Sequence, residues 1–268
     1  MFLRSGRWGQ TTKTLAAWAG IVLMAVSFAW LQWLSERKNP DAIRSSGRHE
    51  PFGVVVLDPG HGGQDSGAIV GGIVEKDLTL DIAQRVDRLL QAQGMATVMT
   101  RMGDSYASLA ERAALTNRVP DCIMVSIHFN EGNKAVSSGI ETYYADHQIA
   151  PGGPMISWLP FLQHTAAQMP NVESQNLAGC VQEALVTDTQ AINRGTKAAQ
   201  FFVIANVRQP AVLVEGGFLS NKDETAKLAN PDYRERIAGA ISAGIFRYRD
   251  AWRQRQVNLA VTGVAQTE

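Results

Sequence analysis

The sequence predicts an α/β domain in which a central, mostly parallel or mixed sheet is covered by helices on both faces. From residue 53 onward, short apolar runs typical of buried strands alternate with longer segments that have helical hydrophobic spacing. The chain has 268 residues, which is long enough to bury a substantial core. Its 45% hydrophobic and 19% charged residues are ordinary for a globular protein. A single domain is therefore expected over 53–252.

Each predicted element rests on its own hydrophobic pattern. Strands are predicted over 53–57, 96–100, 122–127, 201–204 and 211–214, with a weakly alternating edge strand over 140–144. Helices are predicted over 76–93, 108–118, 174–185 and 233–252. The pattern breaks down over 145–173, which is interpreted as an irregular insertion, either a lid or binding loop or a surface excursion without a special role. Residues 253–268 form a tail without a clear pattern.

The N-terminal segment is polar and basic over 1–14 and then uncharged and apolar over 15–34. At ~1.5 Å per residue, such a run is long enough to cross the ~30 Å hydrocarbon core of a bilayer as a helix. We therefore expect a single-pass transmembrane anchor, a polar linker over 35–52 and export of the remaining chain. The alternative is a cleaved signal peptide, because Ser27 and Ala29 are small residues at a plausible cleavage spacing.

The charge balance and the cysteines exclude two classes of function. Lys+Arg and Asp+Glu both number 25, and the first 35 residues carry three basic residues and no acid. The remainder therefore has 22 basic and 25 acidic residues, a net charge of −3, which gives no electrostatic case for nucleic-acid binding. The two cysteines, Cys122 and Cys180, form no zinc-type cluster, and a disulfide between them stays open.

Three polar residues follow three of the predicted strands. His61 comes after a glycine-rich turn, whereas His128 and Glu215 follow their strands directly. Because ligands bind at the carboxyl ends of strands in open α/β sheets, these ends are expected to converge on one crevice. Two imidazoles and one carboxylate are a ligand set for catalytic zinc, so His61, Glu75 and His128 are the candidate metal ligands. Glu215 is then the candidate general base for a zinc-activated water.

Each of these residues also has a structural interpretation. A histidine after a strand is more often structural than a ligand, Glu75 suits the first turn of a helix, and Glu215 could pair with a basic side chain. The competing carboxylates are Asp58, Asp65, Asp77 and Glu141. Spacing alone therefore leaves both interpretations open.

Several sequence blocks carry a resemblance to a known family. They are VVVLDPGHGGQDSGA, EKDLTLDIA, TRMGD with LAERAALTN, SIHFN, GIETYY, RGTKAAQFFVI, and AVLVEGGFLSN with NPDYRERIAGAI. In these blocks and their order, the sequence resembles the zinc-dependent N-acetylmuramoyl-L-alanine amidases of bacteria, with the type of catalytic domain found in cell-separation amidases. The resemblance covers roughly residues 53–250.

The resemblance implies that His61, Glu75 and His128 bind Zn²⁺ and that Glu215 is the catalytic glutamate. The implied reaction is hydrolysis of the amide between the lactyl group of N-acetylmuramic acid and the first L-alanine of the peptidoglycan stem peptide. Asn130 and Arg194 would lie near the site as substrate-binding residues, and Arg194 suits a peptide carboxylate, although a structural ion pair is equally open.

The expected partners are peptidoglycan and, through the N-terminal helix, the bacterial cytoplasmic membrane, with the catalytic domain on the periplasmic or cell-wall side. A protein activator and self-inhibition by 145–173 stay open. Two other functions are kept as alternatives: a zinc peptidase that cuts within the stem peptide, and a non-catalytic wall-binding or regulatory module.

Overall fold

The computed structural model describes residues 50–132, 136–148 and 171–264, together with Met24 and Ser27, and describes side chains as far as Asn258. The predicted anchor over 15–34 lies outside the described residues except for Met24 and Ser27. The linker, apart from its last three residues, and the central part of the irregular insertion, 149–170, also lie outside them.

The strands of the described chain form one large sheet and one small hairpin. In chain order they are β1 (Val54–Pro59), β2 (Ile69–Val70), β3 (Ile73–Val74), β4 (Ala96–Met99), β5 (Cys122–Asn130), β6 (Ile140–Tyr144), β7 (Asn193–Ala198) and β8 (Ala211–Phe218). The six-stranded sheet has the order β4-β1-β5-β8-β6-β7, and β2 pairs with β3. The first four strands of that order are parallel, β6 is antiparallel to β8, and β7 is parallel to β6. The prediction of a mixed sheet is confirmed.

Helices cover both faces of this sheet, as predicted. They are α1 (Glu75–Ala92), α2 (Leu109–Arg118), α3 (Val172–Thr189), α4 (Phe202–Ala205), α5 (Lys222–Ala229) and α6 (Pro231–Val264). One core cluster joins α1, α3 and α6 to one face of the sheet. A second cluster joins α2 and α4 to the opposite face. Because strand side chains alternate between the faces, neighbouring residues such as Val55 and Val56 belong to different clusters.

Local chemistry explains where two of the predicted helices begin and end. Helix α2 begins with a capping box, in which the Ser108 side chain accepts from the Glu111 N–H and the Glu111 side chain accepts from the Ser108 N–H. Helix α1 buries Leu78, Ile82 and Val86 at helical spacing and is followed by Gly94 at φ +76°.

Three predicted elements differ from the structure. The apolar run at 201–204 was predicted as a strand but contributes to the short helix α4, because four apolar residues cannot distinguish a strand from a buried helical turn. Strand β6 was predicted at an edge but lies inside the sheet between β8 and β7. Helix α6 continues to Val264, so the tail predicted after residue 252 is helical over its first part.

The predicted single-pass membrane localisation was wrong. Among the residues that the structure describes, no helix combines the length and the apolar character needed to cross a membrane. The prediction rested on the uncharged run over 15–34, and a run of apolar residues establishes the length of a span without establishing a spanning helix.

Both cysteines of the chain are free. Cys122 lies buried at the start of β5, and Cys180 is half-buried on α3. Burial raises the pKa of the Cys122 thiol to about 11, so this side chain behaves as a small apolar residue rather than as a nucleophile.

Candidate metal centre

His61 lies in a tight turn at the carboxyl end of β1. Its backbone φ is +60°, in the left-handed region that residues other than glycine seldom adopt. The Gly62 N–H donates to the Asp65 carbonyl (2.8 Å), and the Asp65 N–H donates to the Gly62 carbonyl (3.1 Å), which closes the turn. The Gly60 N–H donates to the Ile127 carbonyl at 3.0 Å and ties the turn to β5. The sequence therefore holds the His61 imidazole at the end of the sheet.

Two glycines let the ligand candidates approach one another. A Cβ atom on Gly60 would lie 2.3 Å from the His128 ring. A Cβ atom on Gly67, which has φ +61°, would lie 2.5 Å from Glu75 Oε2 and 2.7 Å from His61 Cδ2. These distances are too short for any side chain, so both positions require glycine.

Glu75 is the first residue of α1, and its carboxylate is buried between two backbone donors. Its Oε2 accepts from the Ala68 N–H at 3.0 Å, and its Oε1 accepts from the Phe129 N–H at 3.1 Å. The same Oε1 lies 3.0 Å from His61 Nε2 and 3.3 Å from His128 Nδ1. The backbone bonds fix the carboxylate, and α1 aims it at the two imidazoles.

The three side chains fit a metal ion. His61, Glu75 and His128 each offer a ligand atom, and these atoms all lie within 4.8 Å of one another. In a tetrahedral site with metal–ligand bonds of ~2.0–2.1 Å, ligand atoms are separated by about 3.3 Å, close to the two distances from Glu75 Oε1. Two nitrogens and one oxygen without a thiolate are the donor set of catalytic rather than structural zinc.

The pKa shifts of Glu75 and His61 agree with a site for a cation. Burial raises the pKa of the Glu75 carboxyl, but hydrogen bonds from His128 and His61 outweigh burial and hold this pKa far below its usual range. Burial lowers the pKa of His61, but the carboxylates of Glu75 and Asp65 outweigh it and leave the pKa above its usual value. The environment therefore stabilises positive charge where a metal ion would lie.

Asp65 lies directly behind His61. Its Oδ1 lies 2.9 Å from His61 Nδ1, which is an ion-pair contact, and accepts a hydrogen bond from the Gly67 N–H at 3.1 Å. Because Nε2 is the His61 nitrogen that faces Glu75, Nδ1 is the one available to a carboxylate that orients the ring. Asp65, which the sequence suggested as a competing ligand, is thus placed behind a ligand candidate instead.

Two buried arginines hold the backbone of the same turn. Arg112 donates to the carbonyl oxygens of Pro59 (2.7 Å) and His61 (2.6 Å) and forms a buried ion pair with Asp58 (2.7 Å). Arg101 also donates to the Pro59 carbonyl, at 3.0 Å. Sequence reasoning missed both arginines, and the available signal was their place in the blocks TRMGD and LAERAALTN. Asp58, another competing carboxylate, is paired with Arg112 and is not one of the three ligand candidates.

Glu215 lies beside the three ligand candidates. It is part of β8, where its Cα pairs with that of His128 on β5 and with that of Glu141 on β6. Its Oε2 is enclosed and has no hydrogen-bond partner among the residues that the structure describes. Burial, and then the negative charges of Glu75 and Glu141, raise the pKa of the Glu215 carboxyl well above its usual value. A carboxylate with a raised pKa is suited to accept and return a proton.

The two predicted substrate-binding residues meet on Glu141 rather than on the metal ligands. The Asn130 Nδ2 donates to Glu141 Oε1 at 3.1 Å, and the Arg194 Nε donates to Glu141 Oε2 at 2.7 Å. Lys197 and Tyr143 contact the same carboxylate and were not predicted. Asp77, the last competing carboxylate, is exposed on α1.

Comparison with known proteins gives a consistent result along the domain. A family model described as N-acetylmuramoyl-L-alanine amidase matches residues 55–247. The N-acetylmuramoyl-L-alanine amidase LytC of Bacillus subtilis (strain 168) is 36% identical over 194 residues, which are 72% of this chain and 35% of LytC. The germination-specific N-acetylmuramoyl-L-alanine amidase of Bacillus subtilis (strain 168) is 28% identical over 251 residues, with 88% of this chain and 94% of the relative covered.

A solved structure agrees with the sequence relatives. The N-acetylmuramoyl-L-alanine amidase from Clostridium difficile 630 superposes with a TM-score of 0.62 and 32% identity, covering 75% of this chain and 98% of that one. The chain spans about a third of LytC but nearly the whole of the superposed chain. The shared part is therefore the domain that carries the candidate metal ligands.

Proposed function

Because this chain belongs to the N-acetylmuramoyl-L-alanine amidase family, we propose that it hydrolyses the amide between the lactyl group of N-acetylmuramic acid and the first L-alanine of the peptidoglycan stem peptide. The observation that carries the proposal is the convergence of His61, Glu75 and His128 beside Glu215 at one edge of the sheet. A non-catalytic wall-binding module has no need of a buried carboxylate without a hydrogen-bond partner, because such a group lowers stability.

We propose that His61, Glu75 and His128 hold Zn²⁺. The nitrogen and oxygen donors, their separations and the glycines that keep side chains away from them support this ion. Zinc bound there would supply the Lewis acidity that activates a water and polarises the amide carbonyl. Asp65 orients His61, and the buried arginines Arg101 and Arg112 keep its backbone turn in place.

Glu215 is proposed as the general base and acid. Its carboxylate accepts the proton of the attacking water and then passes it to the nitrogen of L-alanine as the amide C–N bond breaks. The raised pKa of this carboxyl favours the protonated form that the second half of the step requires. Asn130 and Arg194, which both donate to Glu141, are proposed to bind the substrate.

The test is product analysis of purified peptidoglycan digested by the full chain with Zn²⁺. Mass spectrometry is expected to find free stem peptides that begin with L-alanine and glycan strands without peptides. Shortened stems that remain attached to the sugar would instead identify a zinc peptidase. No released product from either bond would contradict hydrolysis and favour a binding module.

Two variants separate the proposed roles. Glu215→Gln is expected to keep its zinc and its fold and to lose about 10²–10⁴-fold in turnover, the usual contribution of acid–base catalysis. His61→Ala is expected to lower the zinc content measured by elemental analysis. Glu183→Gln, on the exposed surface of α3, is the matched control and should change neither quantity. Near-normal turnover by Glu215→Gln, or full zinc occupancy in His61→Ala, would assign these roles to other residues.

A further inference from the structure

Glu141 is a buried carboxylate that the proposed reaction does not use. Its side chain is 2% exposed. Four side chains donate hydrogen bonds to it: Asn130 (3.1 Å) and Tyr143 (2.7 Å) to Oε1, and Arg194 (2.7 Å) and Lys197 (2.5 Å) to Oε2. The two oxygens of this carboxylate thus accept two hydrogen bonds each and hold four side chains in one place.

The charges of this cluster do not cancel. Arg194 and Lys197, here called the basic pair, carry two positive charges against the single negative charge of Glu141. Both remain accessible, with side chains 34% and 39% exposed. Hydrogen bonds from the basic pair and Tyr143 outweigh burial and keep the pKa of Glu141 below its usual value, so the carboxylate remains ionised at neutral pH. One positive charge is therefore left over beside the reaction centre.

The basic pair also has unused donors and a fixed geometry. The Arg194 guanidinium stacks over the Phe218 ring at 4.7 Å and donates through Nε and Nη1. No residue within the described ranges accepts a hydrogen bond from its Nη2. The Lys197 ammonium, with three donors, lies 5.7 Å from the centre of the Tyr143 ring. Aromatic packing and the shared carboxylate thus hold two cations with free donors, an arrangement suited to a carboxylate ligand.

The basic pair contacts a carboxylate that lies one strand away from Glu215. Glu215 and Glu141 are paired directly across β8 and β6, so their side chains point to the same face of the sheet. Arg194 and Lys197 belong to β7 and reach back to β6 to contact Glu141. One strand spacing is about 4.8 Å and an extended peptide advances about 3.3 Å per residue, so one or two residues span the gap.

We propose that the basic pair binds a carboxylate of the stem peptide, carried by the residue that follows L-alanine. This inference rests on the proposed function and deepens it, because it makes the acidic leaving peptide a specificity determinant. Glu141 is then a positioning residue that holds both cations at the correct distance from Glu215. A neutral carboxamide in place of the carboxylate gains no ion pair at this position and is bound less well.

The experiment compares two synthetic substrates that differ in one group. Both are N-acetylmuramoyl-L-alanyl dipeptides, and their second residue carries either a free carboxylate or the corresponding carboxamide. The wild-type chain is expected to prefer the acid in kcat/KM by about fivefold, the scale of a partly exposed ion pair. Lys197→Met should remove most of that preference by slowing cleavage of the acid only. Lys227→Met, which removes an exposed lysine from α5, is the matched control and should keep the preference.

Binding to a slow variant separates this inference from the proposed reaction. Dissociation constants of both dipeptides are measured by calorimetry with Glu215→Gln, with and without Lys197→Met, so that affinity does not depend on turnover. Equal affinities for acid and amide, or an acid preference that survives both Lys197→Met and Arg194→Gln, would overturn the carboxylate site. Cleavage of neither dipeptide by the wild type, together with tighter binding of the acid, would contradict the amidase reaction and support the basic pair.

Discussion

The buried carboxylate of Glu215 is expected to lower the stability of the metal-free protein, so replacing it with glutamine should raise that stability. Glu215 Oε2 is enclosed without a hydrogen-bond partner in the described structure, and two further carboxylates, Glu75 and Glu141, repel its charge. Glutamine keeps a buried polar group at this position but removes the negative charge and its repulsion, and each unit by which the pKa is raised corresponds to about 1.4 kcal/mol. For a domain of this size, each kcal/mol corresponds to ~2–4 °C in Tm. Glu215→Gln should therefore melt several degrees higher than the wild type.

The pH dependence of this difference identifies its cause. Because the pKa of Glu215 is raised in the folded state, the unfolded chain releases the proton at lower pH than the folded chain does. The penalty is therefore absent below about pH 4, the usual range of a glutamate, and grows as pH rises through the folded-state pKa. Thermal unfolding followed by circular dichroism with a chelator present, from pH 4 to pH 8, measures it. A Tm difference that is absent, negative or independent of pH would refute the reasoning, and Glu183→Gln is the control.

Three further predictions concern the residues around the ligand candidates. Asp65→Asn is expected to weaken Zn²⁺ binding about 10–100-fold in a competition titration, because the carboxylate behind the imidazole is lost. Arg112→Met should cost ~3–5 kcal/mol in denaturant unfolding because it leaves the Asp58 charge buried and unpaired, whereas Arg118→Met on the exposed face of α2 should cost little. Gly67→Ala should reduce zinc affinity, since its Cβ would meet Glu75 Oε2 at 2.5 Å; unchanged affinity would show that the turn can shift.

The sequence predicted a feature well where the chemical type of a residue and its position at the end of a strand indicated the same role. Short apolar runs that alternate along the chain with helical segments predicted the sheet. Each run is almost continuously apolar because the central strands are buried on both faces. The four candidate residues of the reaction centre are brought together, and their separation along the chain of up to 154 residues (215 − 61) is bridged by pairing of β1, β5 and β8.

The features that were missed depend on pairings that no local pattern contains. Strand β7 has the polar sequence NRGTKA and was not predicted, because an edge strand with an alternating exposed face needs few apolar residues. The reversal of β6 against β8, which brings Glu141 opposite Glu215, is likewise a property of strand order. The same holds for Arg101 and Arg112, because the carbonyls of the His61 turn to which they donate lie 41 to 53 residues away in the chain.

The order of the strands also gives the two halves of the site different resistance to local opening. Strands β1, β5 and β8 each have a partner on both sides, so their backbone amides are expected to exchange with solvent only through global unfolding. Strand β7, which carries the basic pair, has a partner on one side only and can separate at lower free energy. His128 and Glu215 are thereby built into the slowest-exchanging part of the sheet, whereas the cations proposed to hold the peptide belong to an edge strand that can open locally.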